Sequence, residues 1–167
     1  AYFDKVPKFI HYRPRHVIFT SCEFDHADIY KDFDHVKSAF NMLMDLIPAG
    51  GSLHYWADDP NVAALAAQSK AGLKRGYGLK EGGLRATELA TDAAGQSFRA
   101  SLDGKDLGVF KMELTGEYNV MNALAVIGVA LKIGWDLEKV RAALASFQGV
   151  KRRQEILGEP GGVLVIE

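Results

Sequence analysis

His16-Val17-Ile18-Phe19-Thr20, followed at once by Ser21-Cys22-Glu23-Phe24-Asp25-His26-Ala27-Asp28, is the stretch on which the fold turns. A short, β-branched and nearly all apolar run reads as a parallel strand buried on both faces. An acidic turn follows it. Phe33, Val36, Phe40, Leu43 and Ile47 then recur at helical spacing and predict a helix over roughly 32–47, ended by Pro48 and Gly50-Gly51. Ser52-Leu53-His54-Tyr55-Trp56 predicts a second strand. Asp59-Pro60 supplies an N-cap and a first-turn proline for a helix through about Ser69, and Arg75-Gly76-Tyr77-Gly78-Leu79 is a third extended run. Strand–helix alternation of this kind predicts a parallel sheet.

Beyond it the pattern changes. Residues 84–91, 96–102 and 107–114 are strand-like, and Asp92-Ala93-Ala94-Gly95 and Asp103-Gly104 between them are hairpin turns. Two helices follow. One, over about 119–133, carries Val120, Leu124, Ile127 and Leu131 and stops at Gly134. The other is capped by Asp136, carries Val140, Leu144 and Phe147 and stops at Gly149. Lys151-Arg152-Arg153 then leads through a linker, Gly158-Glu159-Pro160-Gly161-Gly162, to a last strand. The expected fold is α/β: a Rossmann-like, mostly parallel sheet flanked by helices, with a small antiparallel meander over about 84–114.

The 167 residues, 48 % hydrophobic and 25 % charged, exclude a disordered chain, which lacks the apolar surface to offset conformational entropy. Twenty basic against twenty-one acidic residues give a net charge of −1, so neither nucleic acid nor an anionic membrane surface is an expected partner. No apolar run reaches the length of a membrane span and no segment has signal-peptide anatomy. Cys22, the single cysteine, permits no internal disulfide and suits a reducing, cytoplasmic setting. The chain opens Ala1-Tyr2-Phe3 without Met and stops at Glu167 after Val163-Leu164-Val165-Ile166. Such ends are expected of a piece of something larger.

Chemistry has three candidate places. Glu23, Asp25, His26 and Asp28 lie just past the carboxyl end of a parallel strand, the edge of an open α/β sheet where ligands bind. Carboxylates and an imidazole so close in sequence can hold Mg²⁺ or Mn²⁺ together with phosphate oxygens. A solvated acidic turn that caps the next helix is the plainer alternative. Asn119 and Asn122, three residues apart, share one helix face, where their amides can read a purine edge; capping by Thr115 or Asn119 is the commoner use of such residues. Arg152 and Arg153 present forks suited to phosphate, although a short basic cluster is usually solvated surface. His11, His16, His35 and His54 stand outside any cluster and read as structural. Cys22 reads as packing, its thiol raised by two nearby acids. No G-x-x-x-x-G-K-[S/T] loop is present, and Gly76-x-Gly78 begins a dinucleotide fingerprint that Glu81 breaks at its third glycine.

The ordered set Glu23-x-Asp25-His26-x-Asp28-x-Tyr30, Gly116-x-x-Asn119-x-x-Asn122-Ala123 and Phe147-x-Gly149-x-x-Arg152-Arg153 resembles the central domain of the Mur ligases, the ATP-dependent amide ligases of bacterial cell-wall synthesis. The opening, from Tyr2 to Arg15, looks most like the muropeptide-recycling branch, ahead of the branch that charges muramate with L-alanine. The resemblance implies ATP and Mg²⁺, with UDP-N-acetylmuramate and a muropeptide as substrates. ATP would phosphorylate the muramate carboxylate, and the peptide amine would attack the acyl phosphate. It also implies roles: His26 as metal ligand and catalytic residue with Asp25 beside it, Glu23 as a further metal residue, Asn119 and Asn122 at the adenine, and Arg152 and Arg153 at the nucleotide.

The family usually has His where this chain has Tyr118. A modified lysine used in some branches falls on Ser38-Ala39-Phe40, so none is expected here. By the same resemblance, 1–157 would be a central ATP-binding domain lacking its phosphate-loop part, and 158–167 a linker and the first strand of a C-terminal domain. The phosphate loop would precede Ala1 and a ribose-holding aspartate would follow Glu167, so the chain alone is expected to be inactive. A free-standing metal-dependent hydrolase and a non-catalytic nucleotide-binding module are the other readings.

Overall fold

Val17 and Phe19 of β1 (His16–Phe19) are buried, while His16 and Ile18 between them are exposed. The computed structural model describes residues 6–150, 156–163 and 165–166. In it β1 is one edge of a six-stranded sheet ordered β1-β2-β3-β4-β5-β6. The other strands are β2 (Ser52–Trp56), β3 (Leu73–Gly78), β4 (Leu84–Asp92), β5 (Gly95–Leu102) and β6 (Lys105–Met112). Pairings from β1 to β4 are parallel and those from β4 to β6 antiparallel, so the meander extends the parallel sheet. Burial of β1 on both faces does not hold. Helices α1 (Phe33–Leu46) and α2 (Pro60–Gln68) cover one face, but α3 (Glu117–Ile133) on the other lies over β2, β3 and β4 and reaches β1 only at its margin.

Local chemistry sets the helix ends. Asp32 caps α1 by accepting from His35 N, and Asp59 caps α2 by accepting from Asn61 and Val62 N, with Pro60 in the first turn. Asp136 does the same for α4 (Leu137–Ser146), through Glu138 and Lys139 N. α4 ends at Phe147, two residues before the glycine expected to stop it. α3 begins at Gly116 with no side-chain cap. Asn119 is no cap either, since its Nδ2 donates to the carbonyl of Thr115 at 2.8 Å.

Two cores flank the sheet. Val17, Phe19 and Leu53 meet Val36, Leu43, Met44 and Ile47 of the α1 segment and Val62 and Leu65 of α2. Tyr77, Leu84, Phe98 and Phe110 meet Val120, Leu124 and Ile127 of α3 and Val140 of α4, with Phe98 and Phe110 stacked at 5.7 Å. One polar side chain is wedged under α3. His54 is 1 % exposed, with Nε2 3.1 Å from Ser52 Oγ, which is itself 2.8 Å from His16 Nδ1. Burial, then the positive charges of Arg75, His16 and Lys132, push His54 down to about 4, so it is a neutral part of the core. α3 passes so close that a Cβ on Gly128 would stand 2.7 Å from His54 Nδ1.

Parallel neighbours ordinarily need a crossover of a dozen or more residues, yet β3 and β4 are joined by residues 79–83 alone. The chain manages this by stepping sideways: the two strands overlap only at Tyr77↔Leu84 and Gly78↔Arg85. Asp58, from the β2–α2 connection, holds the step by accepting from Leu79 N at 2.8 Å, Lys80 N at 3.1 Å and Glu81 N at 2.6 Å. At the far edge, Arg141 of α4 lies 4.2 Å over the Phe110 ring and donates to the carbonyls of Leu107, at 2.9 Å, and Val109 on β6. A separate antiparallel pair, β7 (Ile156–Gly158) with β8 (Val165–Ile166), encloses a 3-10 turn at Pro160–Gly162 where a linker was expected.

Candidate nucleotide site at the carboxyl edge of the sheet

Parallel strands β1, β2 and β3 all end at one edge, and the candidate residues gather there. Thr20, Ser21 and Glu23 past β1, Trp56 at the end of β2 and Tyr77 near the end of β3 line a cavity of about 300 Å³. Tyr118, Met121 and Asn122 from the first turns of α3 close it. Glu23 and Asn122, far apart in sequence, thus share one small chamber. Thr20, Ser21 and Trp56 had no motif to mark them; their position at strand ends is the one signal that points to them.

Asp25 and His26 sit outside that chamber, on the exposed turn that leaves it. His26 adopts a left-handed conformation, φ 56°. Its carbonyl accepts from Ile29 N at 2.8 Å and Tyr30 N at 2.9 Å, which closes the turn, and Asp25 Oδ1 accepts from His26 N at 2.6 Å. The imidazole Nε2 lies 3.9 Å from Asp25 Oδ2, with the two side chains 68 % and 83 % exposed. Among the described residues no three His, Cys, Asp or Glu side chains converge into a closed cation site. One imidazole and one carboxylate, presented side by side to solvent, could each give a divalent cation one ligand, the carboxylate oxygen being the type of donor that Mg²⁺ prefers.

Asn122 also faces a second, larger space. A mainly apolar groove of about 1220 Å³ runs between α3 and α4, with Asn119, Asn122 and Tyr118 at one end and Val126, Trp135, Leu144 and Phe147 along it. Because Asn119 Nδ2 is already bonded to Thr115 O, its Oδ1 is left to accept from an amine, while exposed Asn122 keeps both donor and acceptor. An apolar slot with amides at its mouth can take a flat heterocycle and read its polar edge. Trp135, 65 % exposed beside the helix-ending Gly134, was legible only as an aromatic next to a stop signal. Arg152 and Arg153 lie outside the described residues.

The remaining sequence readings find structural homes. His35 N donates to the Asp32 cap and its ring meets Tyr30 edge-on at 5.3 Å, and His54 is core. Cys22 is 2 % exposed, and burial, then the charge of Asp59, raises its thiol against a smaller opposite pull from Lys37. The acid responsible is thus Asp59 across the fold, not the two beside Cys22 in sequence. No helix among the described residues is long and apolar enough to cross a membrane.

Comparison with known proteins agrees with this geometry. Residues 4–130 match the family model described as the Mur ligase middle domain. The UDP-N-acetylmuramate–L-alanine ligase of Desulfitobacterium hafniense is 37 % identical over 95 % of this chain. The UDP-N-acetylmuramate–L-alanyl-γ-D-glutamyl-meso-2,6-diaminoheptandioate ligase of Escherichia coli is 35 % identical over 100 % of it. The chain spans 35 % and 36 % of the length of these two relatives. Among solved structures, the UDP-N-acetylmuramate:L-alanyl-γ-D-glutamyl-meso-diaminopimelate ligase from Neisseria meningitidis superposes with a TM-score of 0.78 at 37 % identity, covering 91 % of this chain and 46 % of that one. The UDP-N-acetylmuramate–alanine ligase from Thermotoga maritima superposes at 0.81 with 27 % identity, over 98 % and 36 %. The family model covers most of the chain, and the relatives align with nearly all of it: it belongs to the Mur ligase family and carries that family's middle domain.

Proposed function

We propose that this chain is the middle, ATP-binding part of a cytoplasmic ligase that joins UDP-N-acetylmuramate to the tripeptide L-Ala-γ-D-Glu-meso-diaminopimelate in peptidoglycan recycling. The observation that carries the reading is the single chamber shared by Glu23 and Asn122 at the carboxyl edge of the sheet, in a chain of this family. In the reaction, a muramate carboxylate oxygen attacks the γ-phosphorus of ATP and ADP leaves. The peptide amine then attacks the acyl carbon, phosphate leaves, and the nitrogen loses a proton. Catalysis of this kind rests on positioning and charge neutralisation.

Asn119 and Asn122 hold the adenine at the mouth of the α3–α4 groove, and the apolar wall beside them excludes water from it. Arg152 and Arg153 meet the phosphates. His26 and Glu23 would hold Mg²⁺, with Asp25 beside His26 on the open turn. Bound with ATP, Mg²⁺ would supply charge neutralisation for the transferred phosphoryl group. The sugar-nucleotide and the peptide are held by N- and C-terminal domains that the chain does not include, so the chain by itself forms no amide.

The test is ADP release by the full-length protein with UDP-N-acetylmuramate and either the tripeptide or L-alanine. Faster turnover with the tripeptide is expected. Preference for L-alanine would move the protein to the other branch, a reading favoured by the 37 % identical L-alanine ligase. Amide formation by residues 1–167 alone would overturn the division of labour. Hydrolysis of simple phosphoesters, lost in His26→Ala, would replace the ligase with a metal-dependent hydrolase, and tight ADP binding without turnover or Mg²⁺ would leave a binding module.

A further inference from the structure

Gly76-Tyr77-Gly78-Leu79-Lys80-Glu81-Gly82-Gly83 begins like a dinucleotide-binding turn, ends parallel strand β3 and leaves the sheet at its ligand-binding edge. Three successive backbone N–H groups, of Leu79, Lys80 and Glu81, converge in it on one point. Converging main-chain donors of this kind form anion-binding concavities, the device that phosphate loops use. The point is already occupied. Asp58 places Oδ1 at 3.1 Å from Lys80 N and 2.6 Å from Glu81 N, and Oδ2 at 2.8 Å from Leu79 N. The approach is tight enough that a Cβ on Gly78 would come within 2.6 Å of the carboxylate, so glycine serves here as it does where backbone approaches a ligand phosphate.

We propose that the Gly78–Glu81 turn is an oxyanion cradle whose resident anion is the chain's own Asp58, closed to nucleotide phosphate while that carboxylate is in place and able to take a small free carboxylate once it is removed. The inference does not depend on the ligase reading. Burial alone would raise Asp58, but the N–H groups of Leu79, Glu81 and Lys80 outweigh it and hold the carboxyl below the ordinary carboxylate range, as a ligated anion requires. Asp59, the next residue, spends its carboxylate on the α2 cap, so the two adjacent acids are fixed by backbone donors from two different elements.

The experiment is thermal unfolding of Asp58→Ala and wild type in matched concentrations of sodium formate and sodium chloride. The variant is expected to melt lower than wild type in chloride. Formate should raise its midpoint in a saturable way, by roughly 3–5 °C where formate is in tenfold excess over its dissociation constant, and leave wild type unmoved relative to chloride. Indifference of the variant to formate, or an equal rise in wild type, overturns the cradle. Should Asp58→Ala fail to fold, amide spectra of wild type decide the matter. The N–H resonances of Leu79, Lys80 and Glu81 should move together through one acid titration, and independent or absent movement overturns the proposal.

Discussion

Two acidic turns stand at the same edge of the same sheet and are treated in opposite ways. After β1, Asp25 and His26 face solvent, bonded chiefly within their own turn. After β2, Asp58 accepts three main-chain hydrogen bonds from the turn that follows β3 and has become part of the scaffold. Net charge, composition and position do not tell the two apart. What differs is whether the chain satisfies the carboxylate itself: a closed acid positions backbone, and an open one is free to meet a ligand. Histidine divides the same way, His26 open on its turn and His54 closed beneath α3.

Four changes test that division, from the largest effect down. His26→Ala should lower ligase turnover of the full-length protein by roughly 100-fold or more, the scale of losing one charge-stabilising group, while the thermal midpoint stays put as for other exposed sites. A comparable loss of stability would move His26 to the closed class. His54 should appear in the pH dependence of unfolding. Its folded value of about 4 lies below the unfolded 6.5, so nothing is gained or lost above 6.5. From pH 6.5 down to 4 the unfolded chain takes up a proton that the folded chain refuses, and stability falls by up to about 3 kcal/mol in total. A His54→Leu variant should lose that slope, and urea melts across the range would show it. Asp58, also lowered in the folded chain, acts in the same sense at lower pH: the stability it adds is lost as the pH falls through the ordinary carboxylate range.

Gly128→Ala sets two effects against each other. Helix propensity favours alanine by about 1 kcal/mol, but overpacking against a close neighbour costs about 1–3 kcal/mol. With the new Cβ 2.7 Å from a fully buried ring, the clash should win, and pairing the change with His54→Ala should reverse its sign in denaturant melts. Smallest is Arg99→Ala. Arg99 pairs with Glu88 at 3.0 Å and Asp106 at 2.8 Å on the outer face of the meander. Its removal should shift the midpoint by about a degree, a difference that vanishes in 1 M salt.

The elements that the chain specifies locally were legible. Ser52-Leu53-His54-Tyr55-Trp56 is a strand over those residues, and Asp59 and Asp136 are N-caps. Asp103, at φ 50°, and Gly104 make the tight turn their dipeptide promised. Distant relations were not. That β1 shows one open face depends on where α3 lies, and that β3 and β4 pair at all depends on Asp58 reaching across from another loop. The same holds at the site. Asp25-His26 and the Asn119/Asn122 pair are read from spacing, whereas the chamber that unites Glu23 with Asn122 exists only after the sheet has brought β1 beside α3. Asn119 shows the limit of residue-type reasoning, being neither the cap its identity suggests nor a free amide.

Arg141 has a consequence for how the protein behaves in company. A sheet edge is a template on which a strand from another molecule can align, and long exposed edges lead to association between copies. On β6 the carbonyls of Leu107 and Val109 are already taken by one guanidinium, which the Phe110 ring beneath it holds in place. A foreign strand arriving at Leu107–Val109 would have to displace a cation before pairing there, so the middle of this margin is guarded by a single side chain.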